Sequence, residues 1–228
     1  MSKIKSINGF EFEEYNKETY PESVVVERSR DFYQWLNKRR TVRQFSDQPI
    51  PKEVIENILL SASTAPSGAH KQPWTFCVIS NTKLKSKIKE AAEKEEYDNY
   101  HGRMSDEWLE DLKPFQTDWH KPFIEIAPYI IIVFKKPYDL NEDRNKQNNY
   151  YVNESVGLAT GFLLAAIHNA GLVALTHTPS PMNFLTNLLE RPDNERAVFL
   201  IPVGYPTKNT FVPKLSRKNL DDIAIFYD

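Results

Sequence analysis

The sequence predicts an α+β protein in which a central sheet carries helices on both of its faces. The run "PYIIIVFKK" at residues 128–136 is apolar, continuous and rich in β-branched residues, which is typical of a strand buried on both faces. Three more runs have the length and composition of strands: "WTFCVIS", "LVALT" and "AVFLIPVG". Segments with helical periodicity separate these four strands, so helices and strands share one domain.

The first elements follow from local signals in chain order. Residues 1–30 are polar and are expected to form an extended N-terminal arm, and "SRDFYQWLNKR" at 29–39 predicts a short helix. Pro51 suits the start of a second helix, which runs to Ser63 with its apolar residues on one face. Loop residues at 64–73 then lead into the first strand, and a charged helix is expected over 84–95.

A long helix predicted over residues 153–170 is apolar almost all round. Such a helix is buried, either in a core or beneath a second subunit. Gly157 and Gly161 are four residues apart, which allows another backbone to come close to one face. "NFLTNLLER" predicts one more helix. The segment from Tyr205 onward is polar and then ends in the apolar "IAIFYD", which suits an arm that embraces a second subunit.

Composition narrows the possible partners and the compartment. The 228 residues carry a formal net charge of -2, so we expect no binding of nucleic acid. Cys77 is the single cysteine, so an intrachain disulfide is excluded. We interpret Cys77 as a small buried apolar residue. The N-terminus lacks the apolar run of a signal peptide, and the longest apolar helical run, 156–167, is shorter than the roughly 20 residues that span a bilayer. We therefore expect a cytoplasmic protein with no membrane contact.

The sequence lacks the motifs of several common phosphate-binding and metal-binding sites. No GxGxxG or GxxxxGK[ST] stretch is present, so neither backbone cradle for phosphate is available. The five histidines form no HExxH pattern and no cluster with cysteine, so no metal site is expected.

Four short segments could together hold one planar, phosphate-bearing cofactor. "RRTVR" at residues 39–43 offers three guanidinium groups, which can bind phosphate through paired hydrogen bonds. "TAPSGAH" at 64–70 is a loop of small residues, "THTP" at 176–179 ends a strand with hydroxyl groups, and Arg217 is a late basic residue. Taken alone, the basic segment is more typical of a solvated turn than of a phosphate site.

These segments carry a resemblance to a known family. "RRTVRQFSDQPIPKEVIENIL", "TAPSGAHKQPWTF" and "LIPVGYPTKNTFVPKLSRK" resemble the nitroreductase-like flavoproteins. "EEYDNYHGRM" and "WLEDLKPFQTDWHK" resemble the iodotyrosine deiodinases within that superfamily. The resemblance implies a nitroreductase-like fold with a central, mainly antiparallel sheet flanked by helices. It also implies noncovalently bound FMN and an intertwined homodimer with the flavin sites at its interface.

The resemblance also implies which residues contact FMN. They are Arg39, Arg40, Thr41, Val42, Arg43, Ser67, Gly68, Thr176, His177, Thr178 and Arg217. Thr178 is the catalytic residue among them, with its hydroxyl group facing flavin N5. His177 stands where vertebrate members have threonine.

Substrate residues are implied in the same way. Glu96 matches the carboxylate that binds the α-ammonium group of the substrate, and Tyr100 and Lys121 match the groups that bind its carboxylate. The backbone N–H of Ala69 matches the donor to the phenolate oxygen. A free amino acid is a zwitterion, so its recognition needs an acid and a base placed together. By spacing alone, Glu96 and Tyr100 share one face of a helix, where such residues are usually solvated.

The neighbours of these residues receive no role beyond solubility. They are Glu93, Lys94, Glu95 and Asp98. We expect a lid over about residues 95–121 that is mobile when empty, because the sequence predicts no apolar anchors for it, and a C-terminal arm over about 205–228. Residues 31–228 would then form a single FMN-binding domain.

The implied activity is the FMN-dependent reductive dehalogenation of halotyrosines, such as 3-iodotyrosine, to tyrosine and halide. Electrons would come from NADPH or NADH, or from a flavin reductase. Three alternatives remain open: a general nitroreductase or quinone reductase, a flavin-destroying enzyme of the same superfamily, and a non-catalytic protein that binds halotyrosine or flavin.

Overall fold

A four-stranded antiparallel sheet lies at the centre of the fold. The computed structural model describes residues 3–15 and 17–227. The strands β3 (Trp74–Ile79), β4 (Tyr129–Lys135), β7 (Val173–Ala174) and β8 (Arg196–Gly204) pair in the order β3-β4-β8-β7. Each neighbouring pair is antiparallel. The predicted central, mainly antiparallel sheet is therefore confirmed.

The first 39 residues form a compact unit of their own, Met1–Arg39. Strands β1 (Ile4–Ile7) and β2 (Phe10–Glu13) pair as a hairpin around Asn8 and Gly9, both of which have positive φ. Asn-Gly is the pair that tolerates the left-handed conformation in such turns. Helix α1 spans Glu22–Asn37, so it begins well before the expected start near residue 29.

Residues 22–30, which we expected to be part of an extended arm, are therefore helical instead. The run of valines before residue 29 favours strand locally, yet it lies inside α1, because local propensity is a weak determinant of structure. The use of this segment as an arm stays a prediction.

In the second unit, Arg40–Asp228, helices cover both faces of the sheet. Helices α2 (Lys52–Ser63) and α6 (Val152–Asn169) pack on one face, and α3 (Thr82–Asp98), α5 (Phe123–Ile126) and α7 (Asn183–Leu188) pack on the other. Alternate residues of β4 face opposite cores: Ile131 and Val133 face α2 and α6, whereas Ile130, Ile132 and Phe134 face the other helices. This double burial explains why "PYIIIVFKK" is apolar throughout.

Helix α6 buries only one of its faces in this unit. Its buried residues are Ser155, Val156, Ala159, Thr160, Leu163 and Ile167. On the opposite face Leu158 and Phe162 keep 46% and 42% of their surface exposed, beside Gly157 and Gly161. A methyl group added at either glycine would meet nothing within 4 Å. The exposed face therefore carries apolar side chains and, at the two glycines, no side chain at all. A second backbone can come close to it there.

Further elements complete the chain. Helix α4 spans Asp106–Leu112, and strands β5 (Tyr138–Leu140) and β6 (Lys146–Asn148) form a hairpin. The predicted strand "LVALT" pairs in the ladder only through Val173–Ala174, and His177 adds an isolated bridge to Leu200. Within the described part of the chain, no helix combines the length and the apolar character needed to cross a membrane.

Lys85 joins α3 to the end of α5. Its side chain is buried, with 5% exposed, and its ammonium group donates to the carbonyl oxygens of Glu125 at 2.8 Å and Ala127 at 2.7 Å. These carbonyls belong to the last turn of α5 and the residue after it, where a helix leaves acceptors without internal partners. Burial lowers the pKa of the Lys85 amine, while the neighbouring Glu125 opposes that change.

Replacing Lys85 with Met should lower the free energy of unfolding by about 1–3 kcal/mol, because two buried carbonyls lose a charged donor while the apolar stem is kept. Urea unfolding monitored by circular dichroism would measure the change. Exposed Lys87 on the same helix is the matched control, and Lys87→Met should change stability by less than about 0.5 kcal/mol. Equal effects of the two substitutions would contradict the role of Lys85.

Candidate active site

A cavity of about 460 Å³ lies between the end of α3, the segment over 99–121 and the strand end at 175–178. It brings together residues that are far apart in the chain. Those of the predicted site that line it are Arg43, Glu96, Tyr100, Lys121, Thr176, His177 and Thr178. Three of the four predicted substrate residues and part of the predicted flavin residues therefore meet at one opening.

Glu96 and Lys121 form a buried ion pair inside this cavity. The ammonium nitrogen of Lys121 lies 3.1 Å from Oε2 of Glu96, and the two side chains are 4% and 7% exposed. The ammonium group also donates to the carbonyl oxygen of Asp118. Burial lowers the pKa of the Lys121 amine, and the Glu96 carboxylate opposes this by favouring the charged form. Two charges are therefore held out of water and stabilise each other.

Tyr100 lies directly beside this pair. Its hydroxyl group donates to the carbonyl oxygen of Thr117 at 3.2 Å, and its ring lies 5.3 Å from the Lys121 ammonium nitrogen. Burial raises the pKa of the Tyr100 phenol above its ordinary value, although the Thr117 contact acts in the opposite direction. Tyr100 therefore stays protonated near neutral pH and can serve as a hydrogen-bond donor.

The geometry of the α3 end places Glu96 and Tyr100 at this cavity. Helix α3 continues to Asp98, past its expected end at residue 95, and a turn of π-helix follows over Asn99–Arg103. Single π-helical turns are frequent at functional sites. The predicted common face of the two residues is thus reached through a widened turn rather than a regular α-helix.

Aromatic contacts join the two ends of the predicted lid. Tyr97 stacks on His101 with 4.0 Å between ring centroids and meets Trp119 edge-on at 5.4 Å. Arg103 also pairs with Glu95 at 2.6 Å and with Asp98 at 2.9 Å. The expectation that the lid lacks apolar anchors is therefore wrong, because Tyr97 and Trp119 meet only in the folded chain. Its mobility when empty stays a prediction.

Glu93 also differs from expectation. Its carboxylate accepts a hydrogen bond from the backbone N–H of Lys121 at 2.7 Å. No sequence pattern indicates this contact, because the partner is a backbone group 28 residues away.

The strand end at residues 176–178 alternates between open and buried side chains. Thr176 and Thr178 are exposed and His177 is buried. The backbone of His177 exchanges two hydrogen bonds of 2.9 Å with Leu200, which fixes this alternation. The two threonine hydroxyl groups therefore point away from the core, as hydroxyl groups that contact a ligand must.

His177 is the most perturbed titratable group at the site. Burial, followed by the charges of Lys121 and Arg43, lowers its pKa to about 3. Its ring meets Phe123 edge-on at 5.5 Å, and its Nε2 atom has no hydrogen-bond partner among the residues that the structure describes. His177 is thus a neutral imidazole at physiological pH.

Backbone pairing holds Arg43 at the cavity. The N–H of Val42 donates to the carbonyl oxygen of Ala174 at 3.2 Å, and Thr41 forms a β-bridge with the same residue. Burial lowers the pKa of the Arg43 guanidinium group, with Tyr100 acting in the opposite direction. Arg40 donates to the carbonyl oxygen of Pro213, which ties the C-terminal segment to this region.

The remaining predicted residues do not line the cavity. They are Arg39, which belongs to the first unit, and Arg40, Thr41, Val42, Ser67, Gly68, Ala69 and Arg217. Arg217 lies in the exposed C-terminal segment.

The loop around Ala69 has an unusual backbone. Ala69, His70 and Gln72 have φ values of 49°, 54° and 48°, in the left-handed region that side chains rarely adopt. A Cβ atom at Gly68 would lie 2.9 Å from the carbonyl oxygen of Tyr150, so only glycine fits there. Clusters of strained residues occur mainly where function requires them.

Known proteins resemble this chain along most of its length. Residues 36–205 match the Nitroreductase family. A protein of Haliscomenobacter hydrossis named iodotyrosine deiodinase is 63% identical over 203 residues, which cover 89% of this chain and 91% of that protein. The human protein named iodotyrosine deiodinase 1 is 46% identical, with 90% of this chain and 72% of that protein covered.

Solved structures of other proteins are also similar to this chain. The structure of an oxidized iodotyrosine deiodinase bound to FMN and 3-iodo-L-tyrosine is 32% identical, with a TM-score of 0.73 and 86% of this chain and 98% of that chain covered. A nitroreductase with bound FMN from Bacteroides fragilis is 18% identical and has a TM-score of 0.64, with 86% and 99% covered, which is a likeness of fold.

His177 should make the protein less stable in mild acid. Its pKa of about 3 in the folded protein lies below the ordinary 6.5, so the unfolded chain binds the proton first as the pH falls. Stability is therefore lost between pH 6.5 and pH 3, at up to about 1.4 kcal/mol per pH unit. Urea unfolding between about pH 4 and pH 7 should show a shallower dependence on pH for His177→Thr than for the unmodified protein. Parallel curves would contradict the assignment.

Proposed function

The chain belongs to the nitroreductase family, and on that premise we propose that it is an FMN-dependent reductive deiodinase of halotyrosines. The proposed reaction converts a halotyrosine such as 3-iodotyrosine, with two electrons and one proton, into tyrosine and halide. One observation carries the proposal beyond the family: the buried pair of Glu96 and Lys121 lies with Tyr100 in the cavity that Thr178 also lines. General reduction of nitroarenes or quinones requires no such charge pair.

We assign the amino-acid end of the substrate to the three residues at this pair. The α-ammonium group binds Glu96, and the carboxylate binds Lys121 and the neutral phenol of Tyr100. Because both protein charges are already buried, inserting a zwitterion replaces one ion pair with two and adds little further desolvation of the protein. A ligand that lacks either charge would leave a buried group unpaired, which is costly.

The residues near the opening fit a planar, phosphate-bearing group. Thr176 and Thr178 present exposed hydroxyl groups at a strand edge, and Arg43 presents a guanidinium group to the same cavity. FMN, when bound, supplies the electrons. The residues proposed to hold it are Arg39, Arg40, Thr41, Val42, Arg43, Ser67, Gly68, Thr176, His177, Thr178 and Arg217. Within this set Thr178 is assigned to flavin N5 as the catalytic residue.

The backbone N–H of Ala69 and the segment over 99–121 are assigned to the aromatic ring of the substrate. A halogen substituent lowers the pKa of the substrate phenol, so the ring can bind as phenolate beside the N–H of Ala69. A backbone donor fixed by a strained loop loses little freedom when it binds such an oxygen. The segment over 99–121 covers the ligand and excludes water, which strengthens each of these interactions.

We propose a homodimer in which the exposed face of α6 meets its copy. Leu158, Phe162 and the two adjacent glycines form an apolar surface, and the C-terminal segment exposes Phe211 and Phe226. Large apolar side chains of this kind are typical of interfaces. NADPH, NADH or a flavin reductase is the proposed electron donor, and the cytoplasm is the proposed location.

The function is tested by one assay on the FMN-loaded protein. After reduction with dithionite, addition of 3-iodotyrosine should yield tyrosine and iodide in equal amounts. Glu96→Gln should weaken binding of 3-iodotyrosine by about ten-fold or more, because a buried lysine loses its counter-charge, while FMN stays bound. Exposed Glu90 on the same helix provides the matched control, Glu90→Gln.

Three results would count against the proposal. A protein that takes up no FMN would exclude every flavin-dependent reaction. Binding of 3-iodotyrosine without release of iodide would indicate a binding protein. Reduction of nitroarenes together with unchanged 3-iodotyrosine affinity in Glu96→Gln would favour a general nitroreductase.

The dimer is tested separately by light scattering coupled to gel filtration. Phe162→Glu places a charge in the proposed interface and should shift the protein from the dimer mass toward the monomer mass of 26.5 kDa. Lys87→Glu, an exposed change of charge on α3, should leave the dimer intact. A Phe162→Glu protein that is still fully dimeric would place the interface elsewhere.

A further inference from the structure

Glu93 contacts the residue that the proposed function needs in a fixed place. Its Oε1 atom accepts the backbone N–H of Lys121 at 2.7 Å, and the side chain of the same Lys121 reaches Glu96 at 3.1 Å. Glu93 and Glu96 are three residues apart on α3, so they share one side of that helix. One helix therefore binds both the backbone and the side-chain end of Lys121.

The backbone of Lys121 has little other support from regular structure. The chain before it passes through a short 3-10 turn at Lys113–Phe115 and a left-handed residue, Gln116. Helix α5 begins only at Phe123, and the carbonyl oxygen of Lys121 accepts the N–H of Ile124 at 3.1 Å. The N–H of Lys121 precedes the helix, so its described partner is a side chain, that of Glu93.

The contact is the last of a row that attaches α5 to α3. Lys85 donates to two carbonyl oxygens at the end of α5, and Lys89 pairs with Glu125 at 2.8 Å. Lys85, Lys89 and Glu93 follow one another at intervals of four residues, which places them along one face of α3. Because α5 is fixed to α3 at its far end, Glu93 determines where the chain entering α5 lies relative to Glu96.

We propose that Glu93 is a positioning residue for recognition of the substrate's amino-acid end. Resting on the proposed function, the inference adds that Glu93 acts through Lys121: it holds the backbone so that the ammonium group stands next to Glu96. Without it, Lys121 can move away from the helix and the ion pair opens, which lowers affinity for a zwitterion. The FMN side of the cavity is unaffected.

A double-mutant cycle on the FMN-loaded protein tests this directly, with 3-iodotyrosine as the ligand and its dissociation constant as the readout. Glu93→Ala should weaken binding by about ten-fold, in line with the loss of one charge-assisted hydrogen bond. In a Lys121→Ala background the same change should have almost no further effect. Glu93→Gln, whose amide oxygen can accept the same N–H, should restore most of the affinity.

One measurement and one substitute variant separate positioning from a general loss of structure. The dissociation constant of FMN should be the same in Glu93→Ala and in the control Glu90→Ala. If Glu93→Ala does not fold, Glu93→Met replaces it, since Met fills a similar volume and accepts no strong hydrogen bond.

Each other outcome overturns the inference in an identifiable way. Weaker binding in Lys121→Ala with unchanged binding in Glu93→Ala removes the role of Glu93 and leaves the proposed function intact. Additive losses in the double variant show that Glu93 acts on the fold rather than through Lys121. Unchanged binding in Lys121→Ala itself removes the assigned substrate contact and, with it, this inference.

Discussion

The buried ion pair of Glu96 and Lys121 is the interaction on which the candidate site depends. Two side chains that are 4% and 7% exposed cannot keep their charges unless each finds a partner. They come from a helix and from the end of an irregular segment, so the pair also fixes how that segment closes over the cavity. Tyr100 adds a neutral donor whose phenol stays protonated because burial raises its pKa. A charged pair with an adjacent hydroxyl group is a complementary site for a zwitterion.

Helix α3 supports the pair because its side chains contact both α5 and the chain that leads into it. Its side chains hold the C-terminal end of α5, the entrance to α5 and the lysine ammonium group in succession. The aromatic contacts of Tyr97 keep both ends of the lid together on the outer side. The segment between these contacts is therefore a loop with closed ends, and ordering it costs less entropy than ordering a free segment of equal length.

Backbone pairing, rather than an ion pair, fixes the part of the cavity formed by Arg43 and residues 176–178. There, β-pairing of Thr41 with Ala174 and of His177 with Leu200 fixes the backbone, and side chains alternate between the opening and the core. Thr176 and Thr178 are exposed, while His177 is buried in a neutral form. The cavity is thus lined by the charged groups of Glu96, Lys121 and Arg43 and by an uncharged strand end at residues 176–178.

The sequence by itself determined the elements in which apolar residues recur at a regular spacing. Strand β4 and helices α2 and α6 follow from apolar spacing, since each must hide one or both faces, and the spacing of Glu96 and Tyr100 pointed to one side of a helix. The resemblance to deiodinases identified Lys121. Tertiary structure alone decided that Glu93 holds the Lys121 backbone, that His177 is buried and that Tyr97 meets Trp119. These contacts join residues that are distant in the chain and include backbone groups, which every residue has, so no local pattern of side chains could indicate them.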